Sequence, residues 1–372
     1  MILINPSRIP KSARRLQRIL HREGIPHFLV CESESHFMKA VKAFASSEHR
    51  HLLIHGGDGT IHRALNVLFP ELIFAPHTPE KSIGFLRGGS GNGYHDSYRV
   101  PLFMKRQLRV YAESMMRGNV LDVDLLKIKQ GTGVWYGQLF GIGFDVDVLK
   151  RRSARKGALA GTQMPKPGLL NYTLATLASI SRLDLSQGPA GPAYSLELHD
   201  GSVPKGERTG TKQQRTLKLY THALLIEIGK RPFYGNKFKV CPGTQCDDGL
   251  IEVYLFNFVK KHSVFFTIVP LWMGWHRWIN KTVRVNGRGP IEQYSVKGLI
   301  ISYTNPFDFH VDGELMTSSW EGFEEYAVHI SIIPGAASFI VPKGFYKRKT
   351  TRPGTLNNIK NGSGCLFRCA NP

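Results

Sequence analysis

His51-Leu52-Leu53-Ile54-His55-Gly56-Gly57-Asp58-Gly59-Thr60 is the stretch on which the fold turns. A short apolar run stops at glycines, and Thr60 then opens a segment with apolar residues at Ala64, Leu65 and Leu68. That is the pattern of strand, tight loop and helix. Glycines let a backbone approach a ligand closely and adopt positive φ. The helix start behind them offers unpaired N–H groups and a positive dipole end, which suit phosphate oxygens. Asp58 is out of keeping with a bare phosphate loop, because a carboxylate repels phosphate unless a metal ion or a donor hydroxyl lies between. An acid there points to magnesium or to proton transfer. The alternative is a tight turn in which Asp58 only caps the helix, and the HLLI run ahead of the glycines weighs against it.

The same alternation runs outward in both directions. Met1–Ile4 is a short strand ended by Asn5-Pro6, and Ser12 is a candidate N-cap for a helix with Ala13, Leu16, Ile19 and Leu20 on one face and Gly24 as its stop. His27–Val30 reads as a second strand, and Phe37, Val41 and Phe44 mark a second helix. Ser82–Leu86 is a fourth strand, followed by Arg87-Gly88-Gly89-Ser90-Gly91-Asn92-Gly93. Alternating strands and helices with short loops predict an α/β domain built on an open, mostly parallel sheet. The second glycine loop is a candidate anion nest to which Arg87 adds a charge. Sheets of this kind bind ligands at the carboxyl ends of their strands. Neither loop matches GxxxxGK[ST] or the GxGxxG of a first βα turn, so a P-loop NTPase and an ordinary dinucleotide fold are disfavoured.

The chain has 372 residues, with 49 Lys+Arg against 28 Asp+Glu and a net charge of +21. Hydrophobic residues make up 42% and charged residues 21%, a globular composition. At roughly 100–200 residues per domain the length predicts two domains. Five cysteines without a CxxC pair exclude a disulfide scaffold and a zinc ribbon, and fit a reducing cytosol. The longest apolar run, Val264–Trp275, has twelve residues, short of the ~20 that a membrane span needs. So strong a positive charge implies an anionic partner: nucleic acid, nucleotide or an anionic lipid surface. With no HTH, RRM, KH or zinc pattern, specific nucleic-acid binding is not expected.

After Gly118 the periodicity changes. Leu121, Val123 and Leu125 alternate with Asp122 and Asp124, and strand-like runs follow at 134–142, 194–199, 216–228, 250–256, 297–303, 307–311 and 326–333. Helix candidates lie near 168–180 and 262–280, and 200–215 reads as an exposed polar loop. This half reads as a β-rich domain. From Lys343 onward there are seven basic side chains and no acid, which reads as a basic, flexible tail.

The motifs GGDGTIHRALN, GFLRGGSGN, LDVDLL, GIGFDVDV, CDDGLIEV and VDGELM occur in the order seen in the diacylglycerol-kinase catalytic-domain superfamily, which includes bacterial diacylglycerol kinases, sphingosine kinases and ceramide kinases. The chain resembles this family over roughly residues 1–342. GGDG alone also resembles NAD kinases, but VDGE favours lipid kinases. The resemblance implies a nucleotide-binding α/β domain over 1–118, to which 334–345 return, and a β-sandwich-like lipid-substrate domain over 119–333. The active site would lie in the cleft between them, and 346–372 would be the tail. It implies an ATP- and Mg²⁺-dependent kinase acting on a lipid hydroxyl, of diacylglycerol or a sphingosine-like acceptor. Carried over by motif, Asn5, Pro6 and Ser7 match the first nucleotide loop. Gly56, Gly57, Asp58, Gly59, Thr60 and His62 match the main one, and Gly89, Ser90, Gly91 and Asn92 the next. Asp124 resembles an acid that joins Asp58 in a magnesium-linked network, and Asp248 a structural metal position. Asp312 and Glu314 match the pair thought to activate the hydroxyl, and Asp145 and Asp147 resemble substrate-proximal acids. Three positions depart from the pattern: Arg8 replaces a glycine, Arg63 a glutamate and Gly93 an aspartate.

Phosphoryl transfer needs positioning and charge neutralisation, and a carboxylate within reach of the hydroxyl proton. Asp312, Glu314 and Asp58 are the candidates, with the choice among them open. Phe307, Phe309 and Val311 would pack on the face opposite the acid pair, and a plain hairpin with solvated acids is the alternative for VDGE. Of Asp122 and Asp124, which share a strand face, Asp124 is favoured for the metal network. Asp145 and Asp147 are expected to share a face, and would pair with an ammonium-bearing acceptor or serve as surface acids. A lipid acceptor sits in a bilayer, so a soluble enzyme must dock; a cytoplasmic protein associated peripherally with an anionic membrane is expected, and oligomers remain compatible with the sequence. Lys150, Arg151, Arg152, Arg155 and Lys156, the arginines ahead of Gly24, and the aromatic run Leu271–Trp278 are candidate contacts, the last alternatively a core helix. Alternative readings are a kinase of a soluble acceptor such as NAD, and a non-catalytic membrane-associated relative.

Overall fold

The computed structural model describes residues 1–6, 10–73, 81–89, 91–158, 193–200, 216–235, 237–285, 287–316 and 326–345. Ser7, Arg8, Ser90, the helix candidate at 168–180, nearly all of the 200–215 loop and the tail from 346 lie outside the described residues.

The first part alternates as the sequence predicts: β1 (Ile2–Ile4), α1 (Pro10–Arg22), β2 (Phe28–Val30), α2 (Glu34–Ser46), β3 (His51–Gly56), α3 (Asp58–Ile73), β4 (Ser82–Arg87), α4 (Gly93–Ser97) and α5 (Met104–Met116). The strands pair in parallel in the order β2-β1-β3-β4. α1 buries Ala13, Leu16, Ile19 and Leu20, the face read from the sequence, and fully burying each larger side chain contributes about 1.5–3 kcal/mol. The helix begins at Pro10, however, two residues before the expected cap. Proline's fixed φ and missing N–H suit the first helical position. Ser12, now inside the helix, turns its hydroxyl to His55 Nε2 at 3.0 Å. Gly24 stops the chain with φ +64°.

Beyond Gly118 come β5 (Val120–Gln130), β6 (Gly133–Gly137), β7 (Leu139–Gly143), α6 (Phe144–Ala158), β8 (Tyr194–His199), β9 (Thr216–Thr221), β10 (Leu225–Gly229) and β11 (Ile251–Phe256). Then follow α7 (Lys261–Met273), α8 (His276–Thr282), β12 (Ile291–Val296), β13 (Gly298–Tyr303), β14 (Phe309–Val311), β15 (Glu314–Met316) and β16 (Tyr326–Ile340). An antiparallel sheet of six strands, β12-β11-β10-β7-β14-β15, faces the strands of the larger sheet. Phe140, Ile226, Val253 and Phe309 meet Ile128, Leu196, Leu299 and Ile330 in one buried layer, the interior of a sandwich.

The parallel sheet and the sandwich share a strand. β16 runs antiparallel to β5 and β13, shifts register between Ile333 and Ala337, and then pairs Ser338 and Phe339 in parallel with Ser82 and Ile83. Gly335 takes φ +59° in the shift, and its amide donates to Asp124 Oδ1 at 2.9 Å. One long strand thereby belongs to the open sheet at its end and to the sandwich over its first half.

Candidate active site

β1, β3 and β4 are adjacent and parallel, so their carboxyl ends open on one edge. Asn5-Pro6, the 56–60 loop and the loop after Arg87 all lie there. Asn5 N–H donates to His55 C=O at 3.1 Å, and its side-chain amide donates to Thr60 Oγ1 at 3.3 Å, tying the first loop to the second. The glycines are needed for contact rather than for torsion. A Cβ on Gly89 would stand 2.3 Å from Gly57 Cα, and one on Gly57 would stand 2.8 Å from Gly89 Cα. Backbone therefore touches backbone, leaving a cradle that any side chain would fill. Asn92 holds that loop: its carbonyl oxygen accepts from Gly89 N–H at 3.3 Å and its NH₂ donates to Gly89 C=O at 2.7 Å. Arg87, expected as a phosphate contact, braces the loop instead, with its guanidinium on Asp96 at 2.6 Å and on Val100 C=O at 2.9 Å.

Asp58 caps α4 rather than its own helix. Its two oxygens accept from Gly93 N–H at 2.8 Å and from Tyr94 N–H at 2.9 Å. Burial pushes the carboxyl above its ordinary value, an effect that the nearby Arg231 and the two amides offset only in part. Tyr94 then reaches across to the other half of the chain, its OH donating to Asp312 Oδ2 at 2.9 Å. Burial, with the Asp312 carboxylate behind it, pushes the phenol far up, so it acts as a donor.

Asp312 and Gly313 form the two-residue turn between β14 and β15, with φ of +54° and +82°. Positive φ at both positions is what a tight hairpin demands and what Asp-Gly supplies. The hairpin alternative for VDGE is therefore right about the backbone, but Asp312 is buried at 3% exposure, not solvated. Its Oδ1 accepts from Gln138 N–H and Leu139 N–H, both at 3.1 Å, and from Arg231 Nη2 at 3.3 Å. Its Oδ2 takes His62 Nδ1 at 3.3 Å besides Tyr94. Burial pushes this carboxyl up, but the His62 hydrogen bond, the Arg231 charge and the Gln138 amide prevail and hold it below its ordinary value. Glu314 lies on the same side and touches α3: a Cβ on Gly59 would stand 2.1 Å from Glu314 Oε1. Arg63 Nη2 is 3.9 Å from Glu314 Oε2, and Arg63 Nε is 3.1 Å from Glu34. Gly59, His62 and Arg63, one face of α3, thus meet the acid hairpin. Phe307, Phe309 and Val311 pack into the sandwich as expected.

Arg231 joins the halves, and sequence reasoning did not find it. It is fully buried, lies over the Tyr94 ring with Cζ 4.3 Å from the centroid, and donates to Phe233 C=O and Asp312. It also accounts for one departure. A Cβ on Gly93 would stand 2.3 Å from Tyr234 C=O and 2.4 Å from Arg231 Nη1, so no aspartate fits where the resemblance expects one. The only sequence signal was a Lys230-Arg231 pair directly after a strand, and nothing in its spacing pointed to burial.

The other acids lie elsewhere. Asp124 is buried, with Oδ2 3.0 Å from Lys230 Nζ and accepting from Gly249 N–H at 2.8 Å. Asp248 meets the same ammonium at 2.5 Å. Where the resemblance implies a metal network, Asp124 and Asp248 thus share the Lys230 ammonium. Asp145 and Asp147 were expected to share a strand face. Instead Gly143, at φ +97°, ends β7 and both fall in the first turn of α6. There they point apart: Asp147 pairs with Arg151 at 2.9 Å, while Asp145 is buried against His310. Glu227, Gly141 and His310 are register partners on three neighbouring strands, and the missing side chain of Gly141 makes room for Asp145. Donor atoms of Asp145, Glu227 and His310 lie within 4.8 Å of one another. Burial raises Glu227 to about 8. Burial would lower His310, but Asp145 and Glu227 raise it to about 10. Charge in this cluster is therefore balanced internally, between a histidine cation and Asp145.

Residues 1–128 match the family model described as the diacylglycerol kinase catalytic domain. Over 242 residues the chain is 24% identical to a diacylglycerol kinase of Mycobacterium tuberculosis strain CDC 1551 / Oshkosh, and equally to that of strain H37Rv. The match covers 64% of this chain and spans 65% of the length of those curated relatives. A crystal structure of a diacylglycerol kinase from Bacillus anthracis str. Sterne superposes with a TM-score of 0.58 at 14% identity, covering 92% of this chain and 97% of that one. A second crystal structure from that strain gives a TM-score of 0.60 at 16% identity, over 92% and 96%. Among the described residues, no helix is long and apolar enough to cross a membrane. Residues 1–128 are thus similar to the diacylglycerol kinase catalytic domain, in line with the order of the motifs, and the solved structures share the fold over most of the chain.

Proposed function

We propose that this chain is a lipid kinase that transfers the γ-phosphate of ATP to a lipid hydroxyl, in the presence of Mg²⁺. The observation that carries the reading is the chain of contacts Asp58–Tyr94–Asp312–Arg231. It holds two glycine loops, whose backbones touch, against a hairpin bearing Asp312 and Glu314. In this reading residues 1–118 and 334–345 carry the nucleotide, and 119–333 carry the acceptor.

The glycine cradle and the start of α3 suit a nucleotide's phosphates. Asp58, of the three acids considered for a metal, is the one that fronts the loops, and it would hold the Mg²⁺. Bound there, the ion would screen the triphosphate charge. Asp312 already takes five donors from Gln138, Leu139, Arg231, His62 and Tyr94, so its role is to fix the hairpin. Glu314 is about one-third exposed at its side chain and hydrogen-bonds no donor among the described residues, so it is the carboxylate that accepts the acceptor's proton. The acceptor oxygen then forms its bond to the γ-phosphorus as the bond to the β-phosphate oxygen breaks, and ADP leaves. The Asp145 charge is balanced by His310 and that of Asp147 by Arg151. Neither is left over for an ammonium, which favours a diacylglycerol-type acceptor over a sphingoid one.

The test is transfer of labelled γ-phosphate from Mg-ATP to a mixed-micelle panel of diacylglycerol, monoacylglycerol, sphingosine and ceramide, with Asp58→Ala alongside. A labelled lipid lost in the variant is the expected result. ATP binding without any labelled lipid would refute the acceptor class, and ATP-dependent NADP formation would replace it with a soluble acceptor.

A further inference from the structure

The hairpin of α7 and α8 has two faces of opposite character. Val264, Thr267 and Pro270 of α7 and His276 and Ile279 of α8 are buried. His276 packs edge-on against Tyr254 and Phe256 of β11, with ring centroids 5.4 and 5.6 Å away. That face fixes the hairpin to the antiparallel sheet. The other face carries Phe265, Phe266, Val269, Met273, Trp275 and Trp278, from 48% to 74% exposed. Four of these recur at i, i+1, i+4 and i+8, one side of a helix, and the tryptophans follow at the Gly274 turn. Large apolar side chains gathered on one exposed face mark an interaction site.

Charge identifies what covers it. Residues 257–290 contain no aspartate or glutamate, but carry Lys260, Lys261, Arg277, Lys281, Arg284 and Arg288. An apolar helix face bordered by cations, with tryptophan at the rim, matches the headgroup and acyl layers of an anionic bilayer. Leu102 and Phe103, exposed just ahead of α5, are a smaller apolar pair.

We propose that the α7–α8 hairpin is the surface by which this chain docks on membranes containing anionic phospholipid, inserting Phe265, Phe266, Val269 and Met273 among the acyl chains. The hairpin is joined to the candidate active site through aromatic rings. Trp272 packs on Phe238 at 5.5 Å, Phe238 on Tyr234 at 6.4 Å, and Tyr234 on His310 at 5.1 Å. Lys239 N–H donates to Trp272 C=O at 3.0 Å. Docking here brings the acid hairpin to the bilayer, so the purpose of the surface rests on the lipid-acceptor reading, although its residues do not.

The experiment is co-sedimentation of the full chain with vesicles of phosphatidylcholine, with and without phosphatidylglycerol. Wild type is compared with Phe266→Ser/Val269→Ser and with Leu102→Ser/Phe103→Ser. The expected result is binding that requires phosphatidylglycerol, weakens with salt, and falls at least about tenfold in the first variant alone. Tryptophan emission should shift to the blue on binding and be quenched by brominated acyl chains. All four substituted residues are exposed, so the fold is expected to survive, with circular dichroism as the check. Binding retained by Phe266→Ser/Val269→Ser, or lost in the Leu102/Phe103 variant instead, would overturn the proposal. So would a concentration-dependent dimer in vesicle-free buffer that the first variant turns into a monomer, since the face would then be covered by a second copy. Activity on a short-chain diacylglycerol dissolved as monomer should be unchanged in the first variant. A chain that phosphorylates no lipid yet binds vesicles as described would refute the kinase reading and leave the docking surface standing.

Discussion

Replacing Arg231 with methionine tests the contact that joins the two halves of the chain. The guanidinium is fully buried, 3.3 Å from Asp312 and over the Tyr94 ring. Methionine keeps most of the apolar stem and its packing on that ring, so the loss is chiefly electrostatic. Removing one partner from a buried ion pair typically costs about 3–5 kcal/mol, because the other charge is left uncompensated. That is about two to almost four decades in the folding equilibrium. Asp312 keeps four donors, which places the expectation at the lower end, about 3 kcal/mol at neutral pH. The assay is equilibrium urea unfolding of wild type, Arg231→Met, Asp312→Asn and the double variant. Neutralising Asp312 in the methionine background should return at least ~1 kcal/mol, a coupling in the range expected for residues in contact. The pH dependence has a definite sign. In wild type Asp312 lies below its ordinary value, so its stabilisation is held above the unfolded-state pKa and lost as pH falls through the folded one. Without Arg231 the folded value climbs, so the deficit of Arg231→Met should shrink on acidification towards the carboxylate range. A loss under ~1 kcal/mol at neutral pH, or single effects that simply add, would refute the reasoning.

Other outcomes follow from the same geometry. Glu314→Gln should lower kcat by ~10²–10⁴ with little change in unfolding, whereas Asp312→Asn should lower both kcat and stability; equal kinetic loss without destabilisation in Asp312→Asn would reverse the two roles. Gly89→Ala puts a Cβ 2.3 Å from the Gly57 backbone, where nothing flexible can yield, and should weaken ATP binding measured by calorimetry at least about tenfold through the lost cradle. Gly59→Ala meets the movable Glu314 carboxylate instead, and should reduce kcat while leaving ATP binding within about twofold. Glu227, raised to about 8 by burial, weakens the fold as pH climbs from its unfolded value towards the folded one. Glu227→Gln should therefore gain stability relative to wild type between pH 5 and pH 8, read as the difference in urea midpoints.

The sequence determined the elements whose signals are local. Alternation of apolar runs with glycine loops marked β1, β3 and β4 and set both loops on one sheet edge, because parallel strands leave their carboxyl ends together. The face of α1 was legible from its spacing, and the Asp-Gly turn from its composition. Ser12 and the Asp145–Asp147 pair misled for one reason: a cap or a strand face is a local inference, and His55 on another strand and the break at Gly143 overrode it. Tertiary structure alone decided how the acids divide. Asp124 and Asp248 went to Lys230, Asp145 to His310, and Asp58 with Asp312 to Arg231. Those partners lie at least 18 residues apart, and no periodicity encodes such pairing. A buried charge must find an opposite charge and hydrogen-bond donors wherever the fold brings them, so its partner is set by the packing of sheets and not by spacing along the chain.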